Sequence, residues 1–189
     1  VVSPSIPANT FPEFLAWAKS RGKDLNFANN SAVAKLVMLM MRERTGLPWI
    51  EIQFKGTPDA LQAIASGEAD FHFLQLGAFA EGLAKQGKLK ILGVASGKRS
   101  RDYPSIPALN EFVPGFSYSA WTGFVARAET PRPVIDVLFR ELAFALRDPE
   151  VVKRLAGLGQ TVVVSSSPEE FTQLIRRDTE LYVRAARAA

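Results

Sequence analysis

The sequence EIQFKGTPDALQAIASGEADFHFLQ, residues 51–75, contains the pattern that decides the fold. It opens on an alternation of apolar and polar residues, which predicts a half-buried strand. The apolar positions of this strand are Ile50, Ile52 and Phe54. After a turn at Gly56, Thr57 is predicted to be the N-cap of a helix and Pro58 its first residue, and Gly67 ends that helix. The apolar run that follows predicts a second strand, so the stretch is a β-α-β unit.

The second strand of this unit, residues 69–74, ends next to Gln75. Parallel strands bring their carboxyl ends to one edge of a sheet, and the helices that follow begin there. The N-terminus of a helix offers backbone N–H groups that have no partner within the helix, and these bind anions well. We therefore expect the functional site near residues 55–57 and 74–76.

The composition is that of an ordinary globular protein. The chain has 189 residues, of which 47% are hydrophobic and 22% charged, and no apolar run approaches the ~18 residues of a membrane span. The net charge of +4 comes from scattered basic residues rather than from a cluster. A nucleic-acid interface needs such a cluster, so we predict no nucleic-acid partner.

Several kinds of catalytic and metal site are excluded by residue type. The chain has no cysteine and a single histidine, His72, so thiolate chemistry and sites with two histidines are ruled out. His72 lies between Phe71 and Phe73 in a predicted strand, where a structural role is favoured over a catalytic one. We therefore predict no enzymatic activity, no metal site and no cofactor.

Elements alternate along the first half of the chain, which predicts an α/β fold with a parallel or mixed sheet covered on both faces. Thr10 is the expected N-cap of the first helix, and residues 32–44 are predicted to form a long helix with its methionines in the core. The helix at residues 77–86 is expected to turn Phe79 and Leu83 inward. Strands are predicted at residues 1–2, 25–28, 50–54, 69–74 and 89–95.

Beyond residue 95 the pattern changes. Residues 96–116 are rich in glycine, proline and charge, which indicates a surface segment. Strands at residues 116–126 and 160–164 and three helices are expected after it. The first of these helices should bury Val134, Leu138, Leu142 and Ala145 along one face. Two strands and three helices are few for an independent α/β domain.

Short motifs along the chain occur in the order in which one known family has them. They include Val2-x-Pro4-Ser5, Leu25-Asn26-Phe27-Ala28, Phe54-Lys55-Gly56, Gly67-Glu68-Ala69-Asp70, Lys98-Arg99-Ser100, Pro114-Gly115-Phe116, Trp121-x-Gly123 and Asp148-Pro149-Glu150-Val151. Each motif alone is unspecific. The ordered set resembles the Bug (TctC-like) family, the periplasmic solute-binding receptors of tripartite tricarboxylate transporters.

The resemblance implies a type II periplasmic-binding-protein-like α/β fold with two lobes, arranged as a Venus flytrap. Residues 1–118 would form a nearly complete second lobe and residues 119–189 the C-terminal part of the first lobe. The family's N-terminal segment, roughly a hundred residues that would precede Val1, is then absent from this chain, as is a signal peptide. The implied function is periplasmic binding of a small organic acid or amide and its delivery to a membrane permease.

The predicted ligand-binding residues are Asn29, Asn30, Ser31, Gly56, Thr57, Gln75 and Trp121. Asn29 to Ser31 and Thr57 offer amide and hydroxyl donors at helix starts, and Gly56 allows close approach of the backbone. Gln75 adds an amide, and Trp121 is a candidate cleft wall. The alternative is that these residues are ordinary helix caps and packing residues.

A second function stays open at this point. The resembling family has a glycine- and hydroxyl-rich loop where this chain has Asn29-Asn30-Ser31 followed by Ala and Val. This departure motivates the alternative of a degenerate receptor-like domain that acts as a structural or accessory subunit of a complex.

Overall fold

The computed structural model describes residues 1–101, 103–157 and 160–187, without the side chains of Ala78 and Ala186. The chain divides into two compact units, of which the first is Val1–Ala120 and the second begins at Trp121. Among the described residues, no helix combines the length and the apolar composition that crossing a bilayer requires.

The first unit is built on a short parallel sheet. β1 (Leu25–Asn29) pairs in parallel with β2 (Trp49–Gln53), with Leu25 opposite Trp49. On its other side, β1 makes a parallel bridge from Phe27 to Phe71. The sheet continues through antiparallel bridges of Val2 to Phe71 and to Lys90. Three neighbouring parallel segments therefore send their carboxyl ends to the same edge.

Four helices surround this sheet, and their ends follow the expected chemistry. They are α1 (Phe11–Ser20), α2 (Ala32–Thr45), α3 (Thr57–Ser66) and α4 (Ala78–Lys85). Thr10 and Glu13 form a reciprocal capping box at the start of α1, as predicted for Thr10. Gly46 and Gly67 end α2 and α3 with φ of 66° and 82°, a conformation that favours glycine.

The core lies on both faces of β1, because successive strand side chains point to opposite sides. Phe27, fully buried, contacts the rings of Trp49 and Phe71 at centroid distances of 5.4 and 5.2 Å. Ala28 belongs to the cluster on the other face, which α3 and α4 supply. The α2 methionines are all buried, so their predicted place in the core is confirmed; they are Met38, Met40 and Met41.

Two predicted strands of the first unit are shorter than expected. The segments 69–74 and 89–95 make single bridges, at Phe71 and at Lys90 and Val94, rather than continuous ladders. In β2, Ile50 is half exposed, contrary to its predicted inward position. Among the described residues β2 pairs only with β1, and such an edge strand is covered less completely than a central one.

The segment that follows residue 95 packs more firmly than its composition suggests. It contains a short 3-10 turn, Leu109–Glu111, and an Arg99–Glu111 ion pair of 2.8 Å. Phe116 is fully buried within the first unit, with its ring centroid 6.4 Å from that of Phe73. The predicted strand at residues 116–126 is wrong, because these residues form no regular element.

The second unit contains three helices and, among its described residues, no strand. They are α5 (Arg132–Ala145), α6 (Pro149–Gly157) and α7 (Pro168–Arg187). Arg132 joins α5 to α7 through an ion pair with Glu169. The strand predicted at residues 160–164 is therefore wrong.

Several apolar side chains of the second unit are exposed. On α5, the predicted buried positions Val134 and Leu138 are each 46% exposed, and Phe144 is 76% exposed. Val163, in the wrongly predicted strand, is 83% exposed. The periodicity of α5 correctly marked an apolar face, but the described residues of this unit provide little to cover it.

Candidate ligand-binding site

Three helix N-termini meet the carboxyl edge of the sheet in the first unit. β1 leads into α2, β2 leads into α3, and the segment after Phe71 leads into α4. The N-caps of these helices are Ser31, Gly56 and Gly77. The positive ends of three helix dipoles thus converge on one edge, which is an arrangement suited to an anion.

Asn29 positions the loop between β1 and α2. Its side chain is buried, and its amide nitrogen donates to Glu51 Oε1 at 2.7 Å and to Gln53 Oε1 at 3.1 Å. Its side-chain amide oxygen, Oδ1, accepts from the Ser31 backbone N–H at 3.1 Å. Both amide hydrogens are therefore used inside the protein, and a ligand contact from Asn29 would require one of these bonds to be exchanged.

Asn30 joins the starts of two helices. Its amide nitrogen donates to the Thr57 hydroxyl oxygen at 2.8 Å, which links the loop before α2 to the first residue of α3. The Ser31 hydroxyl oxygen likewise accepts from the Ala34 backbone N–H at 3.1 Å and caps α2. A hydroxyl that accepts one hydrogen bond still has its own hydrogen to donate. Thr57 and Ser31 can therefore each donate to a carboxylate at this edge.

The glycine N-caps leave two helix starts without a side-chain cap. Thr57 is the first residue of α3 rather than its N-cap, so that prediction is wrong, and Gly56 occupies the N-cap position. Neither Gly56 nor Gly77 accepts a backbone N–H through a side chain, because glycine has none. Their φ values of −167° and −168° are extended and would suit any residue. These two positions are thus distinguished by backbone N–H groups in the first helical turn that the N-cap side chain does not cap, and not by backbone strain.

The charges at this edge are partly neutralised within the protein. Lys35 pairs with Glu51 at 2.7 Å, and hydrogen bonds from Lys35 and then Asn29 lower the pKa of that carboxyl group. Lys55, in the turn before α3, is exposed and makes no ion pair with the described residues. Lys55 is thus a cation available to a bound anion.

Of the remaining two predicted site residues, Gln75 lies in a segment that leads to this edge and Trp121 does not belong to the first unit. Gln75 is an exposed residue of the segment between the Phe71 bridge and α4. Trp121 belongs to the second unit, where its indole N–H donates to Asp178 at 2.7 Å and its ring meets Phe171 edge-on at 5.2 Å. The ligand-binding roles of Gln75 and Trp121 stay predictions.

His72 is part of the core. Its side chain is 1% exposed, and Nδ1 lies 2.6 Å from the carbonyl oxygen of Ala28, to which it donates. Burial lowers its pKa from 6.5 to about 4, so the ring is neutral at physiological pH. The described residues contain no group of three potential metal ligands around it or elsewhere.

Sequence reasoning missed three residues at this edge. Glu51 and Gln53 both accept hydrogen bonds from the Asn29 side chain. Their spacing in the sequence could have indicated this, because residues two positions apart in a strand lie on the same face. Phe79, predicted to face inward, is 60% exposed. The apolar pattern of α4 identified a helix but did not identify which face its neighbours cover.

The sequence comparison assigns a family to the chain as a whole. Residues 1–184 match the family described as "Tripartite tricarboxylate transporter family receptor" (TctC), and the chain belongs to this family. It is a family of transport receptors rather than of enzymes, as the sequence analysis predicted. The chain is 27% identical over 169 residues to the protein BugT of Bordetella pertussis, across 88% of this chain and 52% of BugT.

Solved structures show the same fold. A TctC solute binding protein from Polaromonas is 24% identical and superimposes with a TM-score of 0.84, over all of this chain and 65% of that one. MatC from Rhodopseudomonas palustris, solved with bound malate, is 27% identical with a TM-score of 0.74, over 99% of this chain and 64% of that one. The predicted type II periplasmic-binding-protein-like fold is confirmed. The chain spans about half the length of the curated relatives that it matches.

Proposed function

We propose that this chain is the ligand-binding portion of a periplasmic solute receptor that takes a small carboxylate or amide-bearing molecule and delivers it to a tripartite tricarboxylate-type permease. Its units are proposed to correspond to a second lobe, residues 1–118, and to part of a first lobe, residues 119–189. The observation that carries the proposal is the Asn30–Thr57 hydrogen bond, which holds two helix starts together at the carboxyl edge of the sheet.

The chemistry of this edge supports a carboxylate ligand. Hydroxyl groups of Ser31 and Thr57, backbone N–H groups at Gly56 and Gly77, and the ammonium of Lys55 are all donors. Hydrogen bonds that involve a charged group contribute about 1.5–3 kcal/mol each, so two or three of them account for micromolar affinity. Family membership and the malate bound to MatC support the same ligand chemistry.

Thermal unfolding against a panel of small acids and amides tests this proposal. A free ligand concentration of a hundred times the Kd raises the free energy of unfolding by about 2.7 kcal/mol, and this raises Tm measurably. We expect at least one panel member to raise Tm and the Asn30→Ala/Thr57→Val variant to lose that increase. Thr45→Val removes a hydroxyl at the opposite end of α2 and is the matched control. An unchanged ligand response in the double variant would rule out the proposed site.

A degenerate receptor-like accessory subunit is the second candidate. It is favoured by the internal use of both Asn29 amide hydrogens and by the exposed apolar face of α5. This candidate predicts that no panel member changes Tm and that a purified partner protein forms a stable complex with the chain. A single ligand that raises Tm through Asn30 and Thr57 excludes it.

A further inference from the structure

Among the described residues of the first unit, Phe79 is the most exposed phenylalanine. It is 60% exposed, against 39% for Phe112, whereas Phe11, Phe14, Phe27, Phe71 and Phe116 are all 5% exposed or less. Phe79 is the second residue of α4, two positions after Gly77, which gives the helix no side-chain cap. The Cα–Cβ bond of a helical residue tilts toward the helix N-terminus, so the Phe79 side chain leaves α4 on the side of its start, which follows the carboxyl edge of the sheet.

A second exposed apolar residue occupies the same position in α2. Val33 is the second residue of that helix and is 50% exposed. The same tilt directs it toward the start of α2, where Ser31 presents its hydroxyl group. The donors at this edge are thus accompanied by apolar surface from two helices, and a ligand with an apolar body would cover it.

The charges near the edge suit one carboxylate rather than two. Of the two lysines described above at this edge, Lys55 makes no ion pair with a described residue, whereas Lys35 is paired with Glu51. The first turns of α3 and α4 carry Asp59 and Glu81, and the carboxylate of Glu81 accepts a 2.5 Å hydrogen bond from the Tyr103 hydroxyl. A second ligand carboxylate near these acids would meet a charge of its own sign.

We propose that Phe79 is a specificity-determining residue that makes this site selective for monocarboxylates with an apolar body over dicarboxylates. The inference rests on the proposed function, because it concerns the same edge of the sheet. One carboxylate is held by Lys55 and the helix starts, and the apolar body lies against Phe79. Two like charges about 7 Å apart at an effective dielectric constant of ~40 repel enough to weaken a dicarboxylate about tenfold.

Hexanoate and adipate form a matched pair of probes, because each has six carbons and they differ in one terminal carboxylate. NMR titration of the ¹⁵N-labelled 189-residue chain follows the backbone amide signals of Gly56 and Gly77. We expect hexanoate to bind about tenfold more tightly than adipate. We expect Phe79→Ser to weaken hexanoate about tenfold through lost apolar contact and Phe79→Leu to retain most of the affinity.

Phe144→Ser is the control, since it removes a still more exposed phenylalanine, 76% against 60%, from the second unit. It should leave both affinities unchanged. Adipate affinity that equals or exceeds hexanoate affinity, or hexanoate affinity that Phe79→Ser leaves unchanged, would overturn this inference while the proposed function stands. If no carboxylate shifts the Gly56 and Gly77 signals beyond what sodium chloride does, the proposed function fails and the inference fails with it.

Discussion

Arg21 donates a 2.9 Å hydrogen bond to Asp70 and thereby joins the end of α1 to the segment that enters the centre of the sheet. The other carboxylate oxygen of Asp70 accepts from the backbone N–H of Asn26 in β1 at 2.7 Å. Asp70 thus fixes the position of the central parallel strands, and these strands direct the helix starts at the candidate site.

Replacement of Asp70 tests this structural role. Asp70→Ala removes the acceptor for both donors, and charge-assisted bonds of this kind predict a loss of about 2–3 kcal/mol in the free energy of unfolding. Urea denaturation measures it. Glu68→Ala removes the same charge from an exposed neighbouring position and should cost under about 0.5 kcal/mol. Equal losses in the two variants would show that the bonds of Asp70 contribute nothing specific.

The Asn30–Thr57 hydrogen bond is expected to contribute to stability even without ligand. In a double-mutant cycle of Asn30→Ala and Thr57→Val, we predict a coupling of about 0.5–1.5 kcal/mol in the free energy of unfolding. Denaturant unfolding of the four proteins gives this value. Additive effects of the two substitutions would mean that the starts of α2 and α3 are held together by other contacts.

The buried His72 predicts a pH dependence of stability. Burial lowers its pKa to about 4 in the folded protein, against 6.5 for an unperturbed histidine. The folded state therefore binds fewer protons than the unfolded chain between these values. The free energy of unfolding should fall by roughly 3 kcal/mol as the pH is lowered from 6.5 to 4.

His72→Asn is the variant that isolates this effect, since its amide can still donate to the carbonyl oxygen of Ala28. We expect the variant to be less dependent on pH between 6.5 and 4. Carboxylates with lowered pKa, such as Glu51, begin to lose their contribution only near pH 4.5, so most of the His72 window lies above theirs. An unchanged slope in His72→Asn would assign the pH dependence to other groups.

Two glycines should respond in opposite ways to the same substitution. A Cβ on Gly93 would lie 2.4 Å from Leu109 Cδ2 and 3.1 Å from the carbonyl oxygen of Pro107, so Gly93→Ala should destabilise by about 1–3 kcal/mol. Gly82 lies inside α4, and a Cβ there would meet no described atom within 4 Å. Gly82→Ala should stabilise by about 0.5–1 kcal/mol. Thermal unfolding of both variants checks the two signs.

Local chemistry was the part of the fold that the sequence predicted well. Thr10 caps α1 and Gly67 ends α3, because each of these features depends on one residue and its immediate neighbours. The alternation of elements up to residue 95 also led to the correct fold class. Thr57 was misplaced by one position, since a threonine before a proline suits the N-cap and the first helical position almost equally.

Burial was predicted less well because it depends on which neighbours cover a residue. The periodicity of α4 marked Phe79 as apolar, and that of α5 marked Val134 and Leu138, yet all three are substantially exposed. Apolar runs at residues 89–95 and 160–164 did not form continuous strands, since a ladder requires a partner that the run itself does not specify. At the site, the Asn30–Thr57 bond joins residues 27 positions apart, which no local pattern reveals.

The starts of α3 and α4, at Gly56 and Gly77, have no side-chain cap, and this matters when the protein is engineered for thermostability. Aspartate at Gly77 would fit the extended backbone, would meet no described atom at its Cβ, and would gain about 0.5–1 kcal/mol by capping α4. The same carboxylate would occupy the N–H groups that are proposed to receive the solute. Selection for thermostability alone would therefore favour a more stable protein whose own aspartate occupies the proposed ligand-binding site.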